Sequence, residues 1–145
     1  MSQPAGAQRV PDDDTIQSDD LIYRRVRDDG KVNVVIDKNG NRSASSAAFE
    51  DDADGMSVFL HSVLLAATLE PGSIVDGFDG YVLARLTVQL VRSLGLGIVR
   101  DPDPPDAKPM PCNVAHCLLK LAPMSITQNH RLRQKLARAS TLIPG

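Results

Sequence analysis

The sequence predicts an α+β fold: a small, mostly antiparallel sheet packed with about three helices. Three observations predict it. Leu86–Pro102, LTVQLVRSLGLGIVRDP, carries a helix start, an apolar face, a stop signal and a following strand in order. Leu21–Val26, LIYRRV, alternates as a strand, and the Asp29-Gly30 turn leads to a second strand at Val32–Ile36. Ser125 and Gln128 have capping-box spacing ahead of a C-terminal amphipathic helix.

A chain of 145 residues fits one domain and can bury a core without staples. Aromatic residues make up 3% and Trp is missing, so the core must be aliphatic and base stacking is a poor binding mode. The net charge of −2 hides a strong polarity: all 18 acidic residues lie at or before Asp106. After Asp106 there are six Lys or Arg and no acid. Either the basic end folds back on the acidic body, or it meets an anionic partner. Two cysteines are too few for a disulfide scaffold, and nothing reads as a secretory signal, so a reduced, cytoplasmic setting is expected. The longest apolar run, Met56–Leu69, is interrupted by His61 and falls short of the ~20 residues that span a bilayer. No membrane partner is expected.

The elements follow in chain order. Residues 1–18 read as a disordered acidic segment, because Asp12-Asp13-Asp14 has no apolar neighbour to bury. Residues 19–145 form the α+β domain. In Leu21–Val26, Leu21, Tyr23 and Arg25 share one face, and Ile22, Arg24 and Val26 the other. This strand and Val32–Ile36 are expected to pair as a hairpin. Asn39-Gly40 makes a further turn, Ser43–Phe49 is a small-residue segment, and Glu50–Gly55 is an exposed acidic loop. Ser57 is expected to cap a helix running to about Leu69, ended by Pro71-Gly72. Tyr81–Ala84 reads as a brief strand. Thr87 caps the central helix, Gly95 stops it, and Gly97-Ile98-Val99 is a short strand. Asp101–Pro111 holds five prolines in 11 residues and must be a surface excursion. Val114–Leu121 reads as the last strand. The final helix carries a Leu132, Leu136 and Ala139 stripe that packs on the sheet.

Tyr23-Arg24-Arg25, Ser45–Phe49 with Met56-Ser57-Val58, and Arg92–Gly95 running to Asp101-Pro102 and Ala115-His116 together resemble a family of small bacterial single-domain proteins. The resemblance covers roughly residues 20–140. It implies a bacterial or phage setting and carries no established activity. The Pro-rich excursion and the cysteines beside His116 depart from that family's pattern. A weaker likeness, through Tyr23-Arg24 and Ser45-Ser46, is to ADP-ribosyltransferase-like folds that grip a dinucleotide. The catalytic Glu of those folds has no counterpart, since no acid follows Asp106.

His116 is the best acid–base candidate, because imidazole titrates near neutral pH. Arg24, Arg25 and Ser46 complete the catalytic alternative, as anion holders and a hydroxyl. No G-x-S-x-G elbow supports a serine hydrolase. His116 and Cys117, adjacent on a strand, point to opposite faces and form no dyad. Cys112, His116, Cys117 and His130 are zinc-type ligands, but their spacing matches no common motif, so neither a metal nor another cofactor is expected. Gly95-Leu96-Gly97 follows a helix, which fits a C-cap and not a phosphate loop. His130, Arg131, Arg133, Lys135 and Arg138 decorate the last helix as a solvated face, a partner-docking face or a phosphate-binding face.

The expected function is a non-enzymatic protein-interaction module, an accessory subunit or adaptor of a bacterial or phage system. Two alternatives stay open. One is a small enzyme acting on a nucleotide or nucleic-acid substrate, with Arg24 or Arg25 holding phosphate and His116 moving a proton. The other is nucleic-acid binding through the basic C-terminal helix. The apolar Met56–Leu69 run leaves room for a homo-oligomer, although burial within one domain explains it equally.

Overall fold

The computed structural model describes residues 10–51, 54–102 and 110–143. Among the described residues, eight strands and three α-helices follow one another: β1 Leu21–Arg27, β2 Val34–Ile36, β3 Arg42–Ala44, β4 Met56–Leu60, α1 His61–Ala66, β5 Tyr81–Thr87, α2 Val88–Ser93, β6 Gly97–Arg100, β7 His116–Lys120, α3 Ile126–Ala139 and β8 Thr141–Ile143. Six strands make one antiparallel sheet in the order β6-β7-β4-β1-β5-β8, and β2 with β3 makes a separate ribbon. The α+β expectation is therefore met.

Alternation along the strands builds two cores. Ile22 and Val26 of β1, Met56, Val58 and Leu60 of β4, and Cys117 and Leu119 of β7 face α2, α3 and the β2–β3 ribbon. Tyr23, Phe59 and Leu83 face the other way, towards Leu64 of α1 and two 3-10 turns, Pro71–Val75 and Pro111–Ala115. Phe49, in a third 3-10 turn at Ser46–Phe49, is fully buried beneath α3. Removing such a side chain from water stabilises the fold by about 1.5–3 kcal/mol.

The expected β1–β2 hairpin does not form. Both edges of β1 are taken, by β4 and by β5. The chain leaves β1 through Asp29, whose carboxylate gathers the N–H groups of Lys31, Val32, Asn33 and Val34. It then turns at Gly40, which has φ 82°, to pair β2 with β3. That conformation suits glycine alone at little cost.

The expected helix from Ser57 to Leu69 is instead strand followed by helix. Met56, Val58 and Leu60 of MSVFL are buried on one side of the strand and Phe59 on the other. Only His61–Ala66 is helical, and Leu60, not Ser57, precedes it as N-cap. Of the apolar run, Met56, Val58, Phe59, Leu60 and Leu64 are buried inside this fold, whereas Leu65, Ala66 and Ala67 are exposed.

Of the segment expected to be disordered, residues 10–18 lie against the sheet, and residues 1–9 lie outside the described residues. Ile16 is 1% exposed. Asp13 N–H donates to the Ile98 carbonyl at 2.8 Å, and Asp12 Oδ1 accepts from Ile98 N–H at 3.0 Å. Asp12 and Asp13 pair with Arg92 at 3.2 Å and Arg100 at 3.4 Å. Their charges are matched, so no solvated tail is required.

The cap signals of α2 and α3 hold. Thr87 Oγ1 accepts from Leu90 N–H at 3.1 Å, and Gly95 takes φ 87° beyond the end of α2. Ser125 and Gln128 form a reciprocal capping box on α3. The buried stripe of α3 is Leu132, Leu136 and Ala137; Ala139 is exposed. The last expected strand starts at His116, because Pro111–Ala115 is a 3-10 turn. Of the Pro-rich excursion, residues 103–109 lie outside the described residues.

Candidate functional site

Three neighbouring strands bring a hydroxyl, an imidazole and a carboxylate together. The β4–β7 register sets Phe59 opposite His116 and Ser57 opposite Leu118. Ser57 and His116 are thus diagonal neighbours on one face of the sheet. The β6–β7 register sets Arg100 opposite Cys117, and Asp101 N–H donates to the His116 carbonyl at 2.9 Å, which extends the ladder by one residue. His116 Nε2 lies 3.0 Å from Ser57 Oγ, and Nδ1 lies 2.8 Å from the Asp101 carbonyl oxygen and 3.4 Å from Asp101 Oδ2.

This geometry fixes the proton inventory. A carbonyl oxygen can only accept, so Nδ1 carries the hydrogen. In the neutral ring Nε2 then accepts from the Ser57 hydroxyl. His116 is 6% exposed and packs edge-on against Phe59, with ring centres 5.4 Å apart. Ser57 is exposed. A shielded base therefore faces a hydroxyl that solvent can reach.

The other residues of the catalytic alternative do not join this group. Arg24 lies on the α3 side of β1 and donates to the carbonyls of Ala48 at 2.7 Å, Glu50 at 2.7 Å and Ser57 at 2.9 Å. It clamps the Ser46–Glu50 stretch onto β4. Arg25 lies on the opposite face. It donates to the Ile74 carbonyl at 2.6 Å, and its guanidinium sits between the rings of Phe59 and Phe78 at 4.8 and 4.1 Å. Burial lowers the Arg25 pKa, and the neighbouring Cys112 partly opposes that. Both arginines are committed to the fold. Ser46 lies in a groove of about 450 Å³ with Ser43, Ser45, Gln134, Arg138 and Ser140, on the α3 side.

The zinc-type ligands separate likewise. Cys117 faces the α3 core, whereas His116 faces the other side. Cys112 is buried against Arg25, whose guanidinium approaches its Sγ at 3.8 Å. Among the described residues no three His, Cys, Asp or Glu side chains converge.

On α3, His130, Arg131, Lys135 and Arg138 are exposed, and Arg133 is half-buried. Among the described residues none of the five forms an ion pair; Asp12 and Asp13 are paired with Arg92 and Arg100, and Asp51 accepts from Asn129 of α3 at 3.5 Å. Arg131 and Lys135, one turn apart, border a groove of about 470 Å³ whose floor includes Leu94, Met124 and Leu132.

Sequence reasoning missed Ser57 and Asp101. The one usable signal was the position of Asp101 directly after a strand; Ser57 is the single polar residue of Met56–Leu60, which reads equally as a helix cap.

No protein-family model matches the chain, and no curated protein or solved structure is significantly similar to it.

Proposed function

We propose that this chain is a protein-interaction module, an accessory subunit or adaptor that docks an anionic partner through α3. The observation that carries this reading is the set of α3 cations left without an ion pair among the described residues. A helix that presents four exposed basic side chains beside a partly apolar groove offers both long-range attraction and an anchor. The two thiols are free and buried, which suits a reducing, cytoplasmic compartment. Under the same proposal the module belongs to a bacterial or phage system.

The test is retention from native-host extract on the purified chain, compared with Arg131→Glu/Lys135→Glu/Arg138→Glu. The reading expects a stoichiometric acidic protein on the wild type, lost in the triple variant while its far-UV circular dichroism is unchanged. Retention that survives the reversal removes α3 as the contact. Nucleic acid that nuclease and salt strip off would instead assign the surface to phosphate binding.

A further inference from the structure

We propose that Ser57, His116 and Asp101 form a hydrolytic site for small esters with an apolar acyl group. This site lies on the face of the sheet opposite α3 and does not depend on the docking surface. The roles follow from the contacts. Ser57 is the exposed hydroxyl, and its Oγ is 3.0 Å from Nε2 of a nearly buried imidazole. The Asp101 carbonyl holds the hydrogen on Nδ1, which leaves Nε2 free to accept the Ser57 proton. The Asp101 carboxylate, 3.4 Å from Nδ1, stands where the imidazolium would form. The nucleophile's own backbone is fixed, because its residue pairs with Leu118 and its carbonyl accepts from Arg24 at 2.9 Å. Leu118, half-buried and paired with Ser57, is the apolar neighbour that solvent and an acyl group can reach on that face.

The reaction balances without a co-reactant other than water. Ser57 Oγ bonds to the acyl carbon while its proton passes to His116 Nε2. The bond from that carbon to the alkoxy oxygen breaks, and the alcohol departs with the proton from Nε2. Water, deprotonated by the same nitrogen, then attacks the acyl-serine. A carboxylic acid leaves and the Ser57 hydroxyl is restored.

The probe is a fluorophosphonate applied to the folded full-length chain, with the adduct located by peptide mass spectrometry. A second readout is the release of 4-nitrophenol from 4-nitrophenyl acetate. The expected result is a single adduct on Ser57 of the wild type, missing after denaturation. Its formation should slow by about 100-fold or more in His116→Gln, the scale of a lost general base. Asp101→Asn, at a side chain 32% exposed, is the second variant and should slow the same step while the protein stays folded. Ser57 left unlabelled on the folded wild type overturns the proposal without any variant. So does labelling that is equally fast in the folded His116→Gln or Asp101→Asn protein.

Discussion

Arg24 Nε donates to the carbonyl oxygen of Ala48 at 2.7 Å, across the gap between the central strand and the Ser46–Phe49 turn. The same guanidinium reaches the carbonyls of Glu50 and Ser57. A planar fork is needed to reach all three, so Arg24→Lys should not substitute for it. Each charged hydrogen bond of this kind contributes about 1.5–3 kcal/mol. Arg24→Lys is expected to lower stability by about 2 kcal/mol, and Arg24→Ala by more. Urea denaturation reads both. Unchanged midpoints would show that the clamp contributes nothing.

Gly97 marks where the N-terminal segment crosses β6. A Cβ at this position would run into the Pro11 carbonyl and crowd Asp12. Gly97→Ala should therefore push residues 10–13 off the sheet and cost about 1–3 kcal/mol, the range of an overpacked contact. Limited proteolysis would detect the release as early cleavage near Asp12–Asp14. A wild-type cleavage pattern in the variant would place that contact elsewhere.

What was legible in the sequence was local. Thr87, Gly95, Ser125 and Gln128 act on backbone groups a few residues away, so their roles can be read from spacing alone. The two faces of β1 were legible for the same reason. The missing parts depend on distant partners. Asp12 and Asp13 look like solvated acids until Arg92 and Arg100, about eighty residues on, are placed beside them. Met56–Leu69 is apolar enough to read as one helix, and only pairing with β1 and β7 selects a strand for its first part. Ser57 was read as a cap for that reason, and its link to His116, 59 residues later, stayed hidden. β8 is three residues long, too short for a pattern. The run of cations on α3 was legible too, because His130, Arg131, Arg133, Lys135 and Arg138 lie close together in sequence.

Both thiols should be inert in the folded protein. Burial pushes the Cys117 thiol up to about 12, and burial likewise raises Cys112 against the opposing Arg25. The thiolate is the reactive species, so Ellman's reagent at pH 8 is expected to find almost nothing until urea exposes two thiols. The same shift links stability to pH. Below the unfolded thiol's pKa of about 8.5 both states are neutral and the contribution is complete. As pH rises from there towards about 12, the unfolded chain ionises and the folded chain does not, so stability falls. The alkaline decline in Tm should be shallower in Cys117→Ala. Equal slopes would mean that Cys117 is not the group being titrated.

Asp29 carries the opposite linkage. Desolvation raises its carboxyl, but N–H bonds from Val32, Lys31, Val34 and Asn33 outweigh that and hold it at about 2. Above the unfolded carboxylate's pKa of about 3.9 both states are ionised, and the turn keeps its full advantage. As pH falls from there towards about 2, the unfolded chain takes up a proton that the folded chain refuses, and the advantage drains away. Asp29→Asn retains a single side-chain oxygen and no charge for these four donors. It should thus lower Tm at pH 6, and the gap to wild type should close progressively between pH 4 and pH 2. A gap that stays constant across this window would assign the Asp29 contribution to shape and not to its charge. The β2–β3 ribbon would then be positioned by its own pairing and by Val34 and Ala44 in the core.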